Sequence, residues 1–117
     1  MLEENLKTSF SVDKKNIAII GATGLLGSQY AKYLSSLGAN IIIGDINFAA
    51  CEKLSDEINL KGYHCFPSKI DITDEISISN FFDKINDKYG KLDVLINNAQ
   101  IKPEGFYNSF ENYTKKT

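Results

Sequence analysis

The chain has 117 residues, 43% apolar and 24% charged, with a formal net charge of −2. This balance fits one small globular domain and excludes a polybasic protein that binds nucleic acid or an anionic membrane through bulk charge. No apolar run is long enough for a membrane span, the opening MLEENLKTSF lacks the apolar core of a signal peptide, and none of the 13 basic residues is arginine.

Residues 1–15 read as a polar lead-in, with Leu6, Phe10 and Val12 as candidate anchors. Ile17-Ala18-Ile19-Ile20 is a continuous apolar run of strand length, as expected of a strand buried on both faces. Glycines at 21, 24 and 27 follow, and an amphipathic run begins at Leu25. The spacing predicts a helix from Leu25 to Leu37 with an inner stripe of Leu26, Tyr30, Tyr33, Leu34 and Leu37, ended by Gly38. A second apolar strand, Asn40 to Gly44, ends at Asp45. Asn47 can cap a helix from Phe48 to Leu60 with Ala50, Cys51, Leu54 and Ile58 inward, and Gly62 stops it.

Tyr63 to Ile70 is a weaker strand, which Pro67 assigns to a sheet edge or a strand end. Asp71-Ile72-Thr73-Asp74 follows, with Thr73 or Asp74 as helix cap. Ile78, Phe81, Phe82, Ile85 and Tyr89 then show the clearest helical period of the chain, closed by Gly90. Leu92 to Ile96 is a fourth strand, leading into Asn97-Asn98-Ala99-Gln100, and Ile101 to Thr117 reads as a loop or a helix start. Strands alternating with helices in the order β-α-β-α-β-α-β imply an α/β fold with a parallel sheet and right-handed crossovers.

The stretch from Ile17 to Leu34 carries the first chemical signal. A strand, a glycine turn and a helix start place unpaired N–H groups and the positive end of a helix dipole where a phosphate can sit. Gly21 lets the chain turn off the strand, Gly24 lets a pyrophosphate approach the backbone, and Gly27 lets the helix pack close to the sheet. Asp45 is the second signal. An acid at the end of the second strand accepts hydrogen bonds from adenosine ribose hydroxyls and repels a 2′-phosphate, whose usual partner, arginine, is missing. The expected cofactor is therefore NAD. Cys51 and Cys65 form no C-x-x-C pair and read as free thiols of a reducing, cytoplasmic compartment. His64 and Cys65 are strand neighbours that point to opposite faces, so no metal site is expected. Lys102, Lys115 and Lys116 read as surface charges, and Tyr107 and Tyr113 as loop packing.

With Gly21-Ala22-Thr23-Gly24-Leu25-Leu26-Gly27, Asp45, Asp71-Ile72 and Asn97-Asn98-Ala99 in place, the chain resembles the N-terminal half of a short-chain dehydrogenase/reductase. The resemblance implies the first half of a Rossmann-type doubly wound sheet, with residues 16–117 a truncated NAD(P)-binding domain. It implies that Gly21, Thr23, Gly24, Leu25, Leu26 and Gly27 line the pyrophosphate turn, and that Asp45 and Ile46 hold the ribose. It further implies that Asp71 meets the adenine amino group, that Ile72 packs on the ring, that Asn97 and Ala99 pass beneath the cofactor, and that Asn98 fixes the central strand. Two features depart from the family. Gln100 stands where glycine is usual, and the G-x-x-G-x-x-G spacing is that of the extended, epimerase-like branch.

The family transfers hydride between a nicotinamide and an alcohol or carbonyl, with a Tyr-x-x-x-Lys pair and a serine as acid–base machinery. No tyrosine of this chain has lysine four residues on. The resemblance thus implies the NAD-binding half of an oxidoreductase, inactive as an isolated chain, with a small-molecule substrate and homo-oligomers only for the full-length protein. The alternatives are a non-catalytic NAD-binding module or subunit completed by another chain, and an extended-branch sugar-nucleotide epimerase or dehydratase.

Overall fold

The structure is a computed structural model that describes residues 11–99. The expectations for Leu6, Phe10, Gln100, Lys102, Tyr107, Tyr113, Lys115 and Lys116, and for the segment Ile101 to Thr117, lie outside the described residues.

Four apolar runs become strands: β1 (Asn16–Ile20), β2 (Asn40–Asp45), β3 (His64–Lys69) and β4 (Val94–Asn97). They form one parallel sheet in the order β3-β2-β1-β4. The connections are helices α1 (Leu25–Ser36), α2 (Phe48–Leu60) and α3 (Glu75–Tyr89). The two central strands are the most buried, because among the described residues only they are flanked by a strand on each side. In β1 all five residues are buried. Among the described residues β3 is an edge strand, in keeping with its proline: Pro67 stands opposite Ile43, and no further described strand needs its missing N–H.

Alternation along the strands sorts the core into two layers. Ile17, Ile19, Ile41 and Ile43 face α1 and α2, together with Ala31, Cys51, Leu54 and Ile58. Ala18, Ile20 and Ile42 face α3, where Phe81 and Ile85 fill the layer. Phe81 lies flat enough on the sheet that a Cβ on Gly44 would meet its ring carbon Cε2 at 2.6 Å. Gly44 is therefore the notch that admits the largest buried side chain. Burial pushes the Cys51 and Cys65 thiols up to about 12, so both stay protonated and behave as small hydrophobes.

The caps follow the local sequence. Asn47 accepts a hydrogen bond from the Ala50 N–H at 3.1 Å, and Asp74, rather than Thr73, caps α3 through the Ile76 N–H at 3.0 Å. Gly90 ends α3 in the left-handed region at φ 81°.

One expectation is overturned. The inner stripe of α1 is not Leu26, Tyr30, Tyr33 and Leu37, which are exposed by 56%, 39%, 65% and 46%. It is Gly27, Ala31 and Ser35, with Leu34 packed at its margin. The reason is distance. The turn starts α1 directly over the end of β1, so the helix lies too close to the sheet for a large side chain. At about 100° per residue the four large residues then fall on one flank. That flank is opposite the side where Lys32 and Ser35 share a groove with Glu57 and Ile58 of α2. Smaller adjustments also apply: α1 ends at Ser36, β4 spans Val94–Asn97, and Ala50 is half-buried.

At the amino ends of the strands a polar network ties β1, β2 and β4 together. The Asn16 N–H donates to Asp93 Oδ2 at 2.8 Å, Asn16 Nδ2 donates to the Lys91 carbonyl, and Asn40 Nδ2 donates to Asn16 Oδ1. The Asn16 N–H holds the Asp93 carboxyl below the usual carboxylate range, with Lys91 adding to the effect. A depressed folded-state pKa stabilises the fold at pH above the unfolded value of about 3.9, and the stabilisation is lost as pH falls through the folded value. Asp93→Asn is therefore expected to lower the urea midpoint at neutral pH and to converge with wild type in strong acid. Parallel curves of midpoint against pH would count against this coupling.

Candidate functional site: a cleft at the carboxyl ends of the strands

A cleft of about 630 Å³ opens where β1, β2, β3 and β4 end. The sheet order changes direction between β1 and β4, so the two chains leaving those strands diverge and leave a crevice. Ten of the twelve residues expected at the site line it: Gly21, Thr23, Gly24, Leu25, Leu26, Asp45, Ile46, Asp71, Ile72 and Ala99. Gly27 and Asn97 do not. Gly27 is buried under the turn, and Asn97 is exposed at the end of β4 without reaching the cleft.

The three glycines of the turn have different physical reasons. Gly21 has φ +80°, and a Cβ there would meet the Ala99 nitrogen at 2.6 Å. The chain leaving β4 thus lies directly on the turn, held by the Asn98 N–H on the Ile20 carbonyl at 2.8 Å. A Cβ on Gly27 would collide with the Gly21 carbonyl oxygen and meet Ala22 Cα at 2.8 Å. Gly24 differs. Its backbone is extended (φ −72°, ψ 174°), and a Cβ there would touch only the Gly21 oxygen at 3.6 Å. Among the described residues no neighbour demands glycine at 24.

Gly24 is also the N-cap of α1, which has neither a side-chain cap nor an acid in its first turn. The other two helices are capped by Asn47 and Asp74. The first N–H groups of α1 and the positive end of its dipole therefore open on the cleft.

Two acids stand across from this turn, each pinned by a threonine. Asp45 Oδ2 accepts from the Thr23 N–H at 3.1 Å and from Thr23 Oγ1 at 2.7 Å, and Oδ1 accepts from the Asn47 N–H. Asp71 Oδ1 accepts from the Thr73 N–H at 3.0 Å and from Thr73 Oγ1 at 2.6 Å. The Thr73 hydrogen bonds keep the Asp71 carboxyl below its usual range, aided by Lys69. The Asp71 N–H in turn donates to Ser77 Oγ at 2.8 Å, which anchors the acid to α3.

Sequence reasoning missed Ile20, Ile70, Thr73 and Asn98 as lining residues. For Thr73 there was a signal, since a threonine two residues after an aspartate is a common side-chain turn. Among the described residues, no group of three or more His, Cys, Asp and Glu is placed to hold a metal ion, and no helix is long and apolar enough to cross a membrane.

The family model for short chain dehydrogenase matches residues 15–116. The chain belongs to the short-chain dehydrogenase family. An uncharacterized oxidoreductase of Bacillus subtilis, YxbG, is 36% identical over 94 residues, covering 80% of this chain and 34% of that protein. This family member thus spans about a third of the length of a curated relative it matches. A solved structure of 7 alpha-hydroxysteroid dehydrogenase, complexed with NADH and 7-oxo glycochenodeoxycholic acid, is 35% identical. It superposes with a TM-score of 0.75, covering 79% of this chain and 36% of that one. A metagenomic short-chain oxidoreductase in complex with NADP is 25% identical, with a TM-score of 0.74, covering 79% and 42%. Of these two similar structures, one thus holds NADH and the other NADP.

Proposed function

We propose that this short-chain dehydrogenase chain is the NAD(H)-binding part of an oxidoreductase acting on an alcohol or carbonyl of a small molecule. Asp45 carries this reading: a carboxylate fixed at the cleft rim beside the turn, in a chain without arginine. Such a carboxylate accepts from ribose hydroxyls and repels a 2′-phosphate.

The other residues fit a dinucleotide. Gly24 offers an open backbone to a pyrophosphate, and the uncapped N–H groups of α1 supply donors. Asp71 Oδ2 is the oxygen not engaged by Thr73, which suits the adenine amino group, and Ile72 and Ile70 provide apolar walls for the ring. When bound, the nicotinamide supplies the hydride chemistry. The described residues bind and orient the cofactor. Within the 117 residues there is no Tyr-x-x-x-Lys, so no residue here is assigned the proton transfer, and the chain alone is expected to bind without turning over.

Titration of the purified chain with NAD+ and NADP+ tests the reading. Tighter binding of NAD+ is expected; tighter binding of NADP+ would overturn the cofactor assignment, and no binding of either would overturn the functional reading itself. The G-x-x-G-x-x-G spacing favours a second reading, an epimerase or dehydratase that returns its cofactor unchanged. Accumulation of NADH by the protein at its relatives' full length separates the two.

A further inference from the structure

Strand β3 turns alternate residues toward β2. The Ile70 N–H donates to the Asp45 carbonyl at 3.1 Å, and Asp45 is the register partner of Lys69. In a parallel ladder this directs the backbone groups of Ile70, Ser68 and Phe66 toward β2 and those of Lys69, Pro67 and Cys65 outward. An outward row of N–H and C=O groups is a template for a strand of another chain. Most of this row is already in use. The Cys65 N–H donates to Asn59 Oδ1 at 2.9 Å, and the Cys65 carbonyl accepts from Asn59 Nδ2 and from Ser55 Oγ, both at 2.9 Å. Pro67 has no N–H to offer. Among the described residues only Lys69 keeps an outward N–H without a partner, and an arriving strand would have to desolvate its charge.

Asn59 is exposed, in the last turn of α2, yet its carboxamide is fully engaged. One Nδ2 hydrogen goes to the Cys65 carbonyl, the other to Ser55 Oγ at 3.1 Å, and Oδ1 takes the Cys65 N–H. A carboxamide is a peptide group in miniature. It offers a carbonyl and an N–H to the N–H and carbonyl of one residue, as a neighbouring strand would. We infer that Asn59 guards the sheet edge: its carboxamide takes the place of the next strand at Cys65 and, with Pro67, closes the outer edge of β3 to a strand of a second copy of this chain. Gly62, left-handed at φ +87°, turns the chain back so that Cys65 lies against Asn59. The inference is independent of the cofactor reading.

The test uses the whole chain and two variants. Asn59→Leu keeps the bulk of the side chain and removes its donors and its acceptor. Amide hydrogen exchange in dilute solution is read at Cys65, which faces outward, against Phe66, which faces β2. The Cys65 amide is expected to be protected in wild type and to exchange about tenfold faster relative to Phe66 in Asn59→Leu, the loss of one hydrogen bond. A general loss of stability would speed both amides alike, and an unchanged ratio overturns the inference. So does an unprotected Cys65 amide in wild type, a result that needs no variant to fold.

Asn59→Leu with Pro67→Val frees the Cys65 groups and adds an N–H to the row. In a dilution series followed by sedimentation velocity and exchange, this double variant is expected to grow in size with concentration and to gain protection at Lys69. The wild-type Lys69 amide is expected to be unaffected by concentration. A double variant that is folded and no more associated than wild type overturns the inference, as does a wild-type Lys69 amide that gains protection with concentration. Asp93→Asn, which loosens the amino ends of β1 and β4 instead, is the control. Equal protection of Lys69 with concentration in that variant would assign the association to lost stability and overturn the guard.

Discussion

Gly27→Ala should unfold much of the chain, whereas Gly24→Ala should leave the fold standing and remove dinucleotide binding. The two glycines are one helical turn apart and equivalent by composition, yet their surroundings differ. At Gly27 a methyl group collides with the Gly21 carbonyl oxygen and meets Ala22 Cα at 2.8 Å and the Ala22 carbonyl carbon at 3.1 Å. All three are backbone atoms of the turn, which is itself held to β2 by the Gly21 and Ala22 N–H groups on the Gly44 carbonyl. Neither side can yield by a rotamer change, so the helix must lift from the sheet and open the packing of Ala31 and Leu34. Overpacking costs about 1–3 kcal/mol where side chains can adjust, and more where they cannot. We expect about 3 kcal/mol or more, read as a lower urea midpoint.

At Gly24 the added methyl rests in ordinary contact at 3.6 Å on an extended backbone. Stability should stay within about 0.5 kcal/mol of wild type. The methyl would instead occupy the space above the first N–H groups of α1, where the proposed function places the pyrophosphate. NAD+ affinity is expected to fall more than about tenfold, a difference of about 1.4 kcal/mol. A Gly24→Ala chain that is folded and binds NAD+ as wild type would show that no phosphate crosses there.

Asp45→Ala is the second large effect, and it acts on selectivity. Among the described residues Asp45 is the one acid beside the glycine turn, and the neighbouring acid at the cleft, Asp71, belongs to the next loop. Removing Asp45 takes away a charge-assisted hydrogen bond to the ribose, worth about 1.5–3 kcal/mol, so NAD+ should bind about 10- to 100-fold more weakly. NADP+ should bind more tightly than to wild type, because the repulsion is gone and the Thr23 and Asn47 N–H groups are freed as donors. The gain is limited because no arginine is present to pair the phosphate. Asp45→Ala that weakens both cofactors equally would remove Asp45 from the ribose site.

The cleft was legible because its residues are read locally. Gly21, Gly24, Asp45 and Asp71-Ile72 each stand at the carboxyl end of a strand or within a few residues of it, and in a parallel sheet every strand ends on the same side. Strand order was not written in any one segment. It decides that the chain after β4 lies on Gly21, so Ala99 and Asn98 reach the cleft while Asn97, still in the strand, does not. Thr23 and Thr73 show the same division. Their hydrogen-bonding capacity is visible in the sequence, but the choice of Asp45 as partner for Thr23, 22 residues away, depends on how closely the turn lies to the end of β2.

Helix α1 shows where pattern reasoning fails. The large apolar residues repeat at helical spacing, as a core stripe would, and yet the chain buries the small ones. Hydrophobic periodicity reports which residues share a face, not how near that face comes to its neighbour. The sequence alone determined the alternation of strands and helices, the Asn47 cap, the glycine turn and the acid at the end of the second strand, because each depends on residues a few positions apart. Tertiary structure alone decided the close approach of α1, the separate duties of Gly24 and Gly27, and the joining of Thr23 to Asp45. Those depend on distances of a few ångströms between segments that only the packed sheet brings together.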